Sequence, residues 1–362
     1  MSGDMAMGKI TVGHFPYNLD SNPYQRLFSG ALESAGLHVI RIPPRKLFPL
    51  HYATSFPIDV LHLDWPHDFY HGRTWLLTRV KRAMYYLGLR RLRRHKVVWT
   101  VHNLIGHDAP DAAQELRLLQ RLVDRCDALM VMSNSARDQV QEAYRLPPGL
   151  RVEVIPHGHY IDEYANTVSR DEARRRLGLE QARRVVLSLG RMRRYKGLDD
   201  LIRAFGAAGQ RGDVLVLAGQ PESNQFAAEL EDLARQSLPG YLQIRLHAGE
   251  VPDDQMQVYF NAADVVALPF KNILNSGSLL LSMSFARCVV APRVGALPEV
   301  ACPQAYFGYD PQQSGALDAA LSEAINHDDL LHRGQQARQY ARQHYDWHDI
   351  GLKVRKMYEA IL

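Results

Sequence analysis

Compact apolar runs alternate with stretches whose apolar residues recur at helical spacing along most of the chain. In the first half, KITVGHF (9–15), HVIRI (38–42), DVLHLDW (59–65), KVVWTVHN (96–103) and ALMVMS (128–133) read as strands. Between them lie helical patterns such as NPYQRLFSGALESAGL (22–37), closed by Gly36, and APDAAQELRLLQRLVDRC (109–126). Strand and helix in alternation predict βαβ units and a parallel sheet.

After VEVIPHGH (152–159) comes an Arg-rich helical stretch, SRDEARRRLGLEQARR (169–184), and then the alternation restarts. VVLSLG, DVLVLAG, LQIRLHAG, DVVALPF and CVVAPRVG are its strands. The expected fold class is therefore α/β, with two Rossmann-like, doubly wound domains facing an interdomain cleft, because ligands of such sheets bind beyond the strand C-termini. The expected boundaries are 1–160 for the first domain and 161–340 for the second. The final helical run, beginning at Leu330, extends beyond the second domain; its segment 341–362 is long enough to cross back to the first.

Composition narrows this picture only modestly. The 362 residues are 46% apolar and 23% charged, which is ordinary globular composition, and the net charge of +4 specifies no partner. Cys126, Cys288 and Cys302 are too widely spaced for a zinc site or a disulfide framework. No signal-peptide pattern opens the sequence and no window has the apolar length of a membrane span, so a cytoplasmic protein is expected.

Candidate chemistry concentrates in the second half. SLGRMRRYKGLDDLIRAF (188–205) places Gly190 at a strand end, followed by Arg191, Arg193, Arg194 and Lys196, with Gly197 opening a helix. Cations beside the amide donors of a helix N-terminus make an anion site; without that setting the same residues would form a solvated basic loop. NSGSLLL (275–281) is a second such turn, in which Asn275, Ser276, Gly277 and Ser278 offer neutral donors or an ordinary helix cap. Two anion-compatible turns in one domain point to a diphosphate. The first strand carries no G-x-G-x-x-G, which disfavours a nicotinamide enzyme.

These pieces, with VLAGQPE, HAGEVPDDQMQVYFNAADVVALPF and APRVGALPEV, resemble the donor domain of glycosyltransferases of the GT-B fold over most of residues 185–300. TVHNLIGHD and VIPHGHY resemble the acceptor domain less sharply. The resemblance implies donor binding by Gly190, Arg191, Lys196, Glu250, Asn275, Ser276, Gly277, Ser278 and His157, and acceptor binding by His102, Asn103 and Tyr17. It implies a nucleotide sugar as substrate and no cofactor. No D-x-D pair occurs, so no metal is expected, and Arg and Lys would stabilise the leaving diphosphate.

Retaining relatives carry two glutamates upstream of their GGLPE motif. Alignment on ALPEV puts Ile273 and Leu281 in those places, while Glu299 survives elsewhere. An aliphatic side chain cannot supply a carboxylate's hydrogen bonds. The stretch 275–300 is most similar to the bacterial exopolysaccharide, xanthan-type inverting β-mannosyltransferases, which implies GDP-mannose as donor and a polyprenyl-diphosphate-linked saccharide as acceptor. A retaining transferase with another nucleotide sugar, and a non-catalytic nucleotide- or partner-binding protein of the same fold, are the alternatives.

An inverting transfer needs a general base on the acceptor side. Asp108 is the first candidate, followed by His107 and Asp20, with His102, Asn103, Asp64, His67 and Asp68 also on loops expected at strand ends; for each, a loop polar group or helix cap is the plainer reading. The segment Thr78–Lys96 has eight Lys or Arg residues, no acidic residue, and interleaved Tyr, Leu and Met. Such a helix suits an anionic membrane surface, which implies a peripheral location on the inner face of the cell membrane. A solvated surface helix is the plainer reading, and no nucleic-acid-binding signature accompanies it.

Overall fold

A computed structural model of the chain describes residues 9–18, 23–106 and 111–362. The chain divides into two compact units, one formed by Met1–Gly158 with Tyr345–Leu362 and the other by His159–His344.

The first unit is built on β1 (Thr11–Phe15), β2 (His38–Arg41), β3 (Val60–Leu63), β4 (Lys96–Thr100), β5 (Ala128–Val131) and β6 (Arg151–Val154). They form one parallel sheet in the order β2-β1-β3-β4-β5-β6. The chain leaves β1 toward β2 on one side and returns to β3 on the other, so the topological switch point lies between β1 and β3. The strands are buried throughout β3 and nearly so in β1 and β4, as a sheet covered on both faces requires.

The helix Trp347–Glu359 covers this sheet from the far end of the sequence. Its Ile350, Val354, Met357 and Tyr358 join Val12, Tyr24, Phe28 and Leu32 in one core. Gly351 lets its backbone approach the helix Pro23–Ser34 so closely that a Cβ there would overlap the Ala31 carbonyl. The long run from Leu330 expected as one helix is thus two, Leu330–His344 and Trp347–Glu359. Asp346 breaks it by capping the second, its carboxylate accepting from the His348 and Asp349 amides.

The second unit contains β7 (Val185–Leu189), β8 (Val214–Gly219), β9 (Gln243–Ala248), β10 (Val265–Ala267), β11 (Cys288–Pro292) and β12 (Tyr306–Tyr309). All pair in parallel, in the order β12-β11-β10-β7-β8-β9. The switch point therefore lies between β7 and β10. The short edge strand β12 has no clear apolar run in YFGY and was legible only once its pairing with β11 was formed.

The basic segment also ends differently from expectation. Its helix spans Trp75–Leu92, starting at a Thr74 cap, and Lys96 does not extend it. Lys96 opens β4 instead, its ammonium 3.2 Å from the Asp127 carboxylate.

Candidate functional site

In the second unit, both turns singled out in the sequence flank the switch point. The loop after β7 runs from Gly190 to Gly197, and the loop after β10 runs to Ser276, which caps the helix Gly277–Ser284. Direct contacts fix one loop against the other: the Lys271 amide donates to the Tyr195 carbonyl at 2.8 Å. Gly197 has φ 66°, and a Cβ there would overlap the Pro269 carbonyl, so this position requires glycine on both counts.

The cations of the first loop separate into two groups. Arg194 is committed to surface carboxylates, with Glu222 at 3.1 Å and Glu229 at 2.8 Å. Arg191, Arg193 and Lys196 have no carboxylate partner among the described residues, and the two arginines lie close enough to disfavour the charge on Lys196. Burial, then Arg193 and Arg191, push the Lys196 ammonium down to about 8. Its Nζ overhangs Gly190, where a Cβ would come within 3.1 Å of it. A half-buried ammonium near two guanidinium groups, with no carboxylate partner among the described residues, is a costly arrangement that an anion would relieve.

The second loop supplies neutral donors. The Ser276 Oγ accepts from the Leu279 amide at 3.2 Å, leaving its hydroxyl hydrogen and the first-turn amides to face an anion. Ile273 is buried and apolar; Leu281 lies one turn into the helix, so neither position expected for a retaining glutamate carries a carboxylate. Glu250 is exposed just beyond β9, and Glu299 sits in the short helix Leu297–Val300. Asn275, Gly277 and Ser278 are half-buried in the same loop and helix start.

In the first unit, the candidate bases Asp20, His107 and Asp108 lie outside the described residues. What the sheet brings together instead is a histidine–carboxylate network. Asp64, directly after β3, is fully buried. It accepts from His14 Nε2 at 2.5 Å, from Gln25 Nε2 at 3.1 Å and from His102 Nε2 at 3.0 Å. Burial alone would raise its carboxyl, but His14 and His102 outweigh that and hold it well below the ordinary range. His14 is on β1 and His102 two residues beyond β4, so three neighbouring strand ends converge on one carboxylate at the switch point. The resemblance points to His102 for acceptor binding, and Asp64 is one of several strand-end polar groups that could serve as the base, but nothing in their spacing announces the pair.

His102 stacks on Trp65 with ring centres 4.1 Å apart and keeps 11% of its side chain exposed. The Tyr24 ring stands edge-on to it at 5.0 Å and also meets His157 at 4.9 Å. His157 belongs to this first-unit aromatic group, next to Trp347, and burial pushes it down to about 4. Tyr17 is buried beside His14. Asn103 is half-buried next to His102.

A second carboxylate organises the neighbouring loop. Glu115, 1% exposed, accepts from His67 at 2.7 Å, from the Gly106 amide at 2.9 Å and from Tyr70 at 3.1 Å, with His71 at 3.2 Å. Burial opposes its charge, but these donors hold it at about 2. Among the described residues, no group of three or more His, Cys, Asp or Glu side chains is arranged to hold a metal ion.

Comparison with known proteins adds a family. Residues 183–327 match the model of the glycosyl transferases group 1, and residues 24–163 that of glycosyltransferase family 4. A GDP-mannose:glycolipid 4-beta-D-mannosyltransferase of Xanthomonas campestris pv. campestris is 30% identical over 317 residues, covering 84% of this chain and 79% of that protein. A D-inositol 3-phosphate glycosyltransferase of Corynebacterium glutamicum is 25% identical over 309 residues, covering 81% of this chain and 72% of its own. Among solved structures, a sucrose-phosphate synthase from Thermosynechococcus elongatus superposes with a TM-score of 0.73 at 18% identity, over 98% of this chain and 99% of that one. Anabaena Alr3699/HepE in complex with UDP and glucose superposes with a TM-score of 0.74 at 16% identity, over 97% of this chain and 100% of that one.

Proposed function

The chain belongs to the GT-B glycosyltransferases and is a nucleotide-sugar-dependent hexosyltransferase, and on that premise we propose that it transfers mannose from GDP-mannose, with inversion, to a lipid-linked saccharide. The single observation that carries the donor half is the unpaired trio Arg191, Arg193 and Lys196 at the end of β7. Carried by loops that follow the neighbouring strands β7 and β10, this trio and the neutral donors of Ser276–Ser278 suit two linked phosphates. The cations would take up the charge that develops on the leaving diphosphate, so the transfer proceeds without a metal ion.

Supporting inversion is the aliphatic character of Ile273 and Leu281. In a single displacement, the acceptor oxygen forms its bond to the anomeric carbon as the bond from that carbon to the donor phosphate oxygen breaks. The diphosphate leaves with the electron pair, and the acceptor proton passes to a base. Supporting mannose and a lipid-linked acceptor is the similarity to the Xanthomonas mannosyltransferase, whose name specifies GDP-mannose and a glycolipid.

A membrane-facing acceptor also suits the helix Trp75–Leu92. Its outer face exposes Trp75, Leu76, Leu77, Val80, Tyr86 and Leu87 together with Arg79, Arg90 and Arg91, while Tyr85, Gly88, Leu89 and Leu92 pack inward. Apolar residues among arginines match the boundary between acyl chains and anionic headgroups. No helix among the described residues is long and apolar enough to cross a membrane.

The anomeric configuration of the product tests the reading. With GDP-mannose, an α-linked donor, NMR of the purified product should show a β-linkage. An α-linked product would remove the inverting mechanism and return attention to a retaining one.

A further inference from the structure

Two shallow clefts lie side by side on the first unit, between the helices Trp75–Leu92 and Ala112–Val123. They enclose about 360 and 370 Å³ and share Tyr86, Arg121 and Asp124. Arg82, Arg117 and Arg145 complete the cationic wall of the first, and Arg90 and Arg125 that of the second. Six guanidinium groups therefore gather around one lining acid, Asp124, whose carboxylate accepts from Gln120 Nε2 at 2.9 Å. None of the six is in an ion pair among the described residues, and Arg82 Nε and Arg125 Nε are buried without a hydrogen-bond partner. Repulsion that no carboxylate offsets is relieved by a bound anion, and the guanidinium fork matches two phosphate oxygens at once.

The walls are held by bonds that do not involve these arginine side chains. The Tyr85 hydroxyl donates to the Leu118 carbonyl at 3.1 Å and ties the two helices together. Gln120 donates to the Arg145 carbonyl at 2.8 Å and accepts from the Arg145 amide at 2.9 Å, which fixes the segment beyond the helix Asn134–Ala143. An anion would thus enter a preformed site. The first of the two helices leads into β4 and the second into β5, so Arg90, Arg121 and Arg125 at their C-terminal ends lie toward the strand N-termini. Ligands of such sheets bind at the opposite edge, so these clefts are separate from the substrate site of this unit.

What distinguishes a lipid headgroup from a free phosphate is the surface beside the clefts. Trp75, Arg79, Arg82, Tyr86 and Arg90 recur at helical spacing as one stripe, and Leu76, Val80 and Leu87 form the next. Trp75, Leu76, Val80, Tyr86 and Leu87 are all exposed. An apolar surface for acyl chains thus adjoins a cationic cleft for the phosphate they carry. We propose that this arginine-lined cleft pair is a binding site for the phosphodiester headgroup of an anionic glycerophospholipid. The inference rests on the membrane-facing reading above and names the membrane component that the first unit holds.

The test titrates the full chain with dihexanoylphosphatidylglycerol below its micelle-forming concentration, by calorimetry, and with phosphatidylglycerol vesicles, by co-sedimentation. Wild type is compared with Arg117→Ala/Arg121→Ala in the cleft and with Arg93→Ala/Arg94→Ala, which removes the same charge outside it. All four arginines are exposed, and circular dichroism and GDP-mannose binding check the fold. The short-chain lipid should bind saturably to wild type and to the Arg93/Arg94 variant, and at least about tenfold more weakly to the Arg117/Arg121 variant. Equal weakening in the two variants would overturn the inference, because a diffuse positive field needs no cleft. So would displacement of the lipid by inorganic phosphate or poly-glutamate at equal concentration, which would make the cleft a site for free phosphate or for an acidic partner. Failure of the membrane reading is a separate outcome: vesicle binding is then absent while the short-chain lipid still binds in the cleft. Vesicle binding that persists without any binding of the short-chain lipid sinks the headgroup site alone.

Discussion

At the residue scale, the most informative side chain is Lys196. Its ammonium is held at about 8, against 10.5 for the free group, because burial and two guanidinium neighbours disfavour a third charge. The sign of the consequence follows directly. Below about 8 the folded protein carries the full cost of this crowded, half-buried cation, and stability rises with pH between that value and 10.5 as the folded state sheds its proton first. A bound diphosphate reverses the preference by favouring the ammonium. GDP-mannose binding, followed by calorimetry in buffers of different ionisation enthalpy, should therefore take up protons near pH 8 and weaken above it. Lys196→Ala should abolish that uptake and weaken binding by about 10- to 100-fold, the range of a charge-assisted hydrogen bond. Arg194 makes the contrast: it looks equivalent in the sequence but is spent on Glu222 and Glu229.

At the element scale, loops at the strand ends are fixed by buried carboxylates from other elements. Glu115, on the helix Ala112–Val123, ties His67, Tyr70 and His71 after β3 to Gly106 after β4. Its carboxyl is lowered from 4.5 to about 2, so it contributes stability that is complete above 4.5 and lost as pH falls toward 2. Glu115→Gln should lower the Tm at neutral pH, through a cost of about 1–3 kcal/mol for donors left unsatisfied. It should also flatten the acid side of the stability–pH curve, measured by thermal unfolding from pH 2 to 7. Both variant and parent losing stability in parallel with acid would show that Glu115 titrates normally. The sequence shows Glu115 only as one polar residue on an amphipathic helix. Its partners lie between 9 and 48 positions away, and no local pattern encodes such a meeting.

At the scale of the whole molecule, basic and apolar surface is unevenly spread. The helix Trp75–Leu92 gathers cations and exposed large apolar side chains, including Trp75 at 70% exposure, on the first unit. Co-sedimentation with phosphatidylglycerol-containing vesicles should occur at low salt and weaken as ionic strength rises. Trp75→Ser with Leu76→Ser should reduce binding even at low salt, since headgroup attraction alone would leave the apolar part without effect. Binding only to neutral vesicles, or none at any salt, would remove the membrane from the proposal.

Two parallel sheets, ten of the twelve strands among the described residues (all but β6 and β12), and the two glycine-bearing turns of the second half were legible from the sequence because each rests on a short-range pattern. Apolar runs mark fully buried strands; Gly190 and Gly197 bracket a run of cations within one loop. That Ile273 and Leu281 are aliphatic, where the resemblance to retaining relatives implies glutamates, is equally read from sequence alone. Tertiary structure decided what required distant residues to meet: the pairing of β12, the packing of Trp347–Glu359 on the opposite end of the chain, and the convergence of His14, Asp64 and His102. The physical reason is the parallel sheet itself. It brings the C-terminal ends of strands separated by whole helices within hydrogen-bonding distance, so side chains as far apart in the chain as His14 and His102 meet on one buried carboxylate.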